Sequence, residues 1–192
     1  MKRGDRIQIT CTKIRVDLVE RHKIVEVDLS AFVLAKNEKF LIHPDDNKGE
    51  YAYKRRYFVY FGNHETPDGS INLEGDECND DEEYYDMMFV DLEKLNPKAK
   101  QIVFSASTDF SIGSGEKEDL CQNTTPYIRI CNQWNEEEIC RFFLTDDFSG
   151  KDCIEMGRLV RDGDLWFFEA MGIGHDGGLV DLVNKFKVEN WG

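Results

Sequence analysis

The sequence predicts an all-β protein, a two-sheet antiparallel β-sandwich with a short C-terminal helix. Three observations predict it: apolar residues recur with a period of two, β-branched and aromatic residues fill those segments, and turn-forming residues separate them. Ile7 to Ile9 and Ile14 to Val16 alternate first. Ile24 to Leu34 then sets Val25, Val27, Leu29, Ala31 and Val33 on one face and Glu26, Asp28 and Ser30 on the other. Pro44-Asp45-Asp46-Asn47-Lys48-Gly49 reads as a turn, Tyr57 to Phe61 as an aromatic strand, and Pro67-Asp68-Gly69 as a second turn. Met87 to Val90 follows, and Asp91 to Leu95 reads as a short turn stopped by Pro97. Further strands are expected at Gln101 to Ser107, Tyr127 to Cys131 and Ile139 to Leu144, with a long polar loop from Thr108 to Pro126. After the turn Arg161-Asp162-Gly163-Asp164, Leu165 to Met171 completes nine strands. Gly178 to Lys187 is expected to be the one helix, with Leu179, Val180, Leu182, Val183 and Phe186 on its apolar face.

The 192 residues fit a single domain, 1–192, large enough for its own core. Setting 38 acidic against 24 basic side chains gives a net charge of −14, which repels nucleic acid and anionic lipid and attracts metal ions or basic partners. No export signal or membrane-spanning run is visible, so no membrane insertion and a cytoplasmic location are expected. The cysteines at 11, 78, 121, 131, 140 and 153 form no CxxC and read as free, reduced thiols. Convergence of Cys121, Cys131 and Cys140 in space would support a soft-metal or redox site instead.

Between Tyr57 and Glu93 there is no Lys or Arg, while twelve Asp and Glu residues occur. Like charges about 5 Å apart repel by roughly 1 kcal/mol even in water, so such a run compacts poorly without a cation. Calcium suits it, because this ion takes six to eight hard oxygens in flexible geometry. Glu26 and Asp28 offer two carboxylates on one strand face that a sandwich could bring against a turn at Gly75-Asp76. The alternative is that the run is simply solvated and the polar strand face is the wet side of a sheet. An EF-hand is excluded: counted from Asp76, the sixth position is Asp81 where glycine is needed and the twelfth is Met87.

Val27-Asp28-Leu29-Ser30-Ala31-Phe32 resembles the DLDxSAF strand of the TerD family of calcium-binding stress and tellurite-resistance proteins, with Glu26 in place of the first Asp. The likeness covers nearly the whole chain. The start Lys2-Arg3-Gly4-Asp5, the succession Phe58-Val59-Tyr60-Phe61-Gly62-Asn63, Asp68-Gly69-Ser70-Ile71 and Gly75-Asp76, and the later Gly157-Arg158-Leu159-Val160-Arg161 and Leu165-Trp166-Phe167-Phe168 follow the family's order. The resemblance implies a β-sandwich and calcium ligands at Glu26, Asp28, Asn63, Asp76 and Asp86. The chain departs from the family where a Gly-rich acidic loop becomes Glu77-Cys78-Asn79-Asp80-Asp81-Glu82-Glu83-Tyr84-Tyr85-Asp86, one residue shorter, which removes backbone shapes that wrap carbonyls around an ion.

Enzyme signals are weak. Gly172-Ile173-Gly174-His175-Asp176-Gly177 spells GxGxxG, but only 15 residues follow it, too few for a βαβ unit, so it reads as a turn from sandwich to helix. His22, His43, His64 and His175 have no metal or catalytic spacing, and no nucleophile motif occurs. The expectation is a non-enzymatic calcium-binding or scaffold module that meets protein partners; the alternative is a metal-free acidic interaction module of the same fold.

Overall fold

The computed structural model describes residues 1–21, 27–41, 57–78, 83–108, 125–145, 148 and 150–188, apart from the side chains of 21, 76–78 and 83–85. Eleven strands and one helix occur among them, in the order β1 Arg6–Ile9, β2 Lys13–Arg21, β3 Val27–Leu34, β4 Phe58–Val59, β5 Ile71–Cys78, β6 Glu83–Asp91, β7 Gln101–Thr108, β8 Tyr127–Asn132, β9 Glu138–Phe143, β10 Cys153–Asp162, β11 Leu165–His175 and α1 Gly178–Phe186. They build two sheets, β1-β11-β10-β7-β3-β4 and β5-β6-β2-β8-β9, with antiparallel pairing throughout. The predicted sandwich is the observed one. Ile14, Val16 and Leu18 of β2, Met88 and Val90 of β6, Leu29, Ala31 and Val33 of β3 and Ile102 and Phe104 of β7 meet in the core between the sheets.

Two strands escaped the sequence reading, β5 and β10, and both carry a glycine at a register shift. Gly75-Asp76 is therefore not a turn. Glu74 opposes Met87 and Asp76 opposes Asp86, so Gly75 is the extra residue of a bulge inside β5. The GxGxxG run is also strand at its start: β11 continues to His175. Between Glu155↔Ile173 and Gly157↔Ala170, β11 holds one residue more than β10, and Gly172, at φ +60°, belongs to that surplus.

The outer face of β3 is not wet. Phe32 and Leu34 join Val103 of β7, Cys153 of β10 and Leu182 and Phe186 of α1 in a second apolar cluster. The helix thus lies on the outer side of the six-stranded sheet. Phe32 stacks on Phe58 at 4.6 Å and meets Phe186 at 5.2 Å, and the N–H of Phe40 bonds the carbonyl of Phe186 at 2.9 Å. Burying Leu182 and Phe186 stabilises this packing by about 1.5–3 kcal/mol each. The predicted turn at 44–49 and loop residues 109–124 lie outside the described residues.

Candidate functional site

The five sequence-predicted residues are Glu26, Asp28, Asn63, Asp76 and Asp86. Backbone N–H groups of β3 that face away from β7 are satisfied in order along one edge. Val33 donates to Tyr57 at 2.9 Å, and Ala31 pairs with Val59. Beyond them β4 has ended, and Leu29 N–H donates instead to Oδ2 of Asp86 at 2.8 Å. A carboxylate from the other sheet thus continues the ladder, because a buried N–H left without an acceptor is costly. Asp86 is itself buried, 7 % exposed, on the strand face that carries Met88 and Val90 into the core.

This one hydrogen bond joins the two sheets at the end where Asp28 stands. Asp28 precedes Leu29, is half-buried, and sits on the face of β3 that Ser30 and Phe32 share. The bulge at Gly75 sets residue 76 directly opposite Asp86 across the β5–β6 pair, where Cα atoms are about 4.5–5.5 Å apart. The fold therefore gathers the chain positions of 28, 76 and 86. Asn63 closes the tight turn after β4: its N–H bonds Tyr60 O at 2.8 Å, and its Nδ2 donates to Phe58 O at 2.6 Å and Glu65 O at 3.2 Å. β4 runs antiparallel to β3, so that turn lies toward the Asp28 end. With its amide nitrogen committed to carbonyls, Asn63 has Oδ1 as its side-chain donor to a cation. Glu26 lies outside the described residues.

The donors present are hard oxygens of the kind calcium takes. Among the described residues no three His, Cys, Asp or Glu side chains converge to hold a metal.

Not all of the acidic run belongs to this end. Asp68 is a structural hub: Thr66 and Ser70 hydroxyls donate to Oδ1 at 2.9 and 2.5 Å, Ser70 N–H at 3.1 Å, and Tyr57 hydroxyl and Asn96 N–H reach Oδ2 at 3.1 and 2.9 Å. Burial pushes its carboxyl up, but the Ser70 and Thr66 hydroxyls and the Asn96 and Ser70 N–H groups outweigh it and hold the group below its ordinary value. Asp91 pairs with Lys13 at 3.4 Å and caps the next turn through Glu93 and Lys94 N–H groups. The run thus does find a counter-charge, supplied by β2.

Two carboxylates that sequence reading did not single out are buried elsewhere. Asp17, 0 % exposed, is held by Arg15 at 2.9 Å and Arg129 at 2.8 Å. Glu155, 1 % exposed, takes His175 Nε2 at 2.7 Å and Lys185 Nζ at 2.5 Å on the same oxygen. Burial raises the Glu155 carboxyl, and the hydrogen bonds and charges of His175 and Lys185 more than reverse that. A period-two pattern puts both acids on a strand face but does not name their partners, of which only Arg15 shares a strand with its acid; Arg129, His175 and Lys185 lie on β8, β11 and α1.

Cys11, Cys131, Cys140 and Cys153 are free thiols. Burial pushes Cys140 and Cys153 up to about 12, so neither is a thiolate near neutrality. Cys140 lies in the core, Cys131 lies among Asp17, Arg129 and Arg15, and Cys121 is outside the described residues.

A TerD domain profile matches residues 1–186. The chain is similar to a tellurium resistance protein TerD of Alcaligenes sp, 26 % identical over 85 % of this chain and 78 % of that one. It is 28 % identical to stress response protein SCP2 of Bacillus subtilis (strain 168), over 72 % and 69 %, and 30 % identical to chemical-damaging agent resistance protein B of Clostridium acetobutylicum, over 67 % and 92 %. In three dimensions it resembles a crystallised homologue of the telluride resistance protein (TerD) from Streptomyces coelicolor A3(2), with TM-score 0.59 and 15 % identity over 88 % of this chain and 94 % of that one, a likeness of fold. With the profile spanning both sheets and the helix, the chain belongs to the TerD family.

Proposed function

We propose that this chain is a non-enzymatic calcium-binding module of tellurite resistance or general stress response, acting in the cytoplasm on protein partners as a binding or scaffold unit. The observation that supports it most is the Leu29–Asp86 hydrogen bond, which brings the Asp86 carboxylate to the β3 backbone one residue after Asp28, while the Gly75 bulge sets residue 76 opposite Asp86. Relatives named for tellurium resistance and stress response supply the biological setting. Calcium, when bound, supplies positive charge that lets carboxylates from both sheets share one end of the sandwich. Asp28 and Asp86 would hold it, together with Asp76, Glu26 and the Asn63 carbonyl.

Isothermal titration with calcium, paired with thermal melting, tests this. At 100 times the Kd, calcium adds about 2.7 kcal/mol of stability. Asp28→Ala and Asp76→Ala should each abolish the calcium-dependent shift; a shift unchanged in both variants puts the ion elsewhere. No heat and no shift at millimolar calcium favours the second reading, a metal-free module whose shortened acidic loop recognises a basic partner directly. No helix among the described residues is long and apolar enough to cross a membrane.

A further inference from the structure

The outer face of the five-stranded sheet concentrates positive charge on an acidic chain. Ile14, Val16 and Leu18 of β2 and Ile128 and Ile130 of β8 point into the core, so Arg15, Asp17 and Arg129 stand on the outer side. Asp17 lies directly opposite Arg129, and Arg15 lies opposite Cys131 two residues along. Arg15 reaches Oδ1 of Asp17 through Nε at 2.9 Å, and Arg129 reaches Oδ2 through Nε and Nη2, both at 2.8 Å. One guanidinium is enough to neutralise the carboxylate. The second leaves the triad with a net positive charge, on a chain whose total is −14.

The clamp is fixed on one side and open on the other. Asp17 is fully buried, while the Arg15 and Arg129 side chains keep 20 % and 21 % of their surface in solvent. Among the described residues no acceptor reaches Nη1 or Nη2 of Arg15 or Nη1 of Arg129, and none of these nitrogens is a buried unbonded atom. Met87 and Phe89 of β6, both half-buried, and the buried Cys131 flank the pair across the neighbouring strands. Such walls lower the local dielectric and strengthen attraction to an anion. Across the next strand pair Arg129 stands opposite Arg141, whose own charge is offset by Glu138, so the positive charge of the triad is left over.

We propose that Arg15 and Arg129 form an oxyanion site, in which their outward Nη groups, held in place by Asp17, take the oxygens of one ligand. Planar guanidinium forks match the oxygens of a phosphate, a sulfate or a carboxylate, and chloride offers no such geometry. Because the carboxylate beneath already fixes both side chains, binding orders little that was free. The shared chemistry admits two sources: a dissolved inorganic oxyanion, or a carboxylate on an acidic protein segment. The site owes nothing to the calcium reading.

The test follows the side-chain Nε–H signals of Arg15 and Arg129 by nitrogen-15 NMR in the full chain, titrated with sodium sulfate, with sodium phosphate and with a hexaglutamate peptide, against sodium chloride of matched ionic strength. The two signals should move along a saturating curve in the oxyanions and not in chloride. Arg15→Lys keeps the charge but loses the fork, and should weaken binding roughly tenfold. Sulfate or phosphate saturating at a lower concentration than the peptide supports a dissolved oxyanion as the ligand; the peptide saturating first supports an acidic protein segment. Shifts that merely track chloride overturn the proposal. So does a saturating response that spares Arg15 and Arg129, a result the natural chain gives even if the lysine variant does not fold, and so does a folded lysine variant that binds as tightly as the natural chain.

Discussion

Glu155 ties three elements together through one oxygen, and its charge state decides how firmly. β10 supplies the carboxylate, β11 supplies His175 and α1 supplies Lys185. Its carboxyl is held below the ordinary glutamate value, so in the unfolded chain it takes up a proton at higher pH than in the fold. The stabilisation is therefore complete above the unfolded pKa, near 4.3, and is lost as pH falls through the folded one. Glu155→Gln should destabilise the protein by about 1–3 kcal/mol at pH 7, since Lys185 can return to water. Melting curves of both proteins from pH 7 to about pH 3 should converge as Glu155 itself becomes neutral; a gap that stays constant would mean its packing matters and its charge does not. The strand face that Asp28 occupies was legible from the alternation of β3. Glu155 was not, because what makes it important lies 20 and 30 residues away in the chain.

Glycines at bulges explain which elements were legible. β3 and β7 alternate without interruption and were found nearly to their ends, whereas β5 and β10 hide behind Gly75 and Gly157 and a scatter of charges. A glycine inside a strand pattern signals a bulge as readily as a turn, and at Gly75 the bulge is what sets residue 76 opposite Asp86. Gly157 has a steric reason as well. A Cβ there would stand 2.3 Å from a Phe168 ring carbon and 3.0 Å from the backbone oxygen of Glu169. The ring lies in the core at 0 % exposure, so it has little room to yield. Gly157→Ala should cost about 1–3 kcal/mol by overpacking, read from urea unfolding with an unchanged m-value. An alanine protein as stable as the natural one would show that β10 and β11 can slide apart there. α1 was foreseen from its apolar stripe, but its seat was not: periodicity shows that a helix has an apolar face and leaves open which sheet face it covers.

Charge acts on the molecule as a whole. At −14 the folded chain repels itself more than the expanded chain does, so added salt of any kind should stabilise it by screening. Calcium bound at one place would act differently from ionic strength. Screening by sodium chloride rises smoothly over tenths of molar, as the Debye length shrinks from about 10 Å at 0.1 M. A bound calcium follows a saturation curve set by its Kd and, at 100 times that value, raises the melting temperature of a chain this size by roughly 5–10 °C. The distinguishing measurement is a melting series in calcium chloride against sodium chloride of matched ionic strength. A calcium curve that rises early and stays above the sodium curve indicates an ion seated among Asp28, Asp76 and Asp86, and Asp28→Ala should collapse it onto the sodium curve. Two coincident curves in the natural chain would mean that its carboxylates act as a diffuse field. The shortened acidic stretch would then serve to attract a basic protein surface.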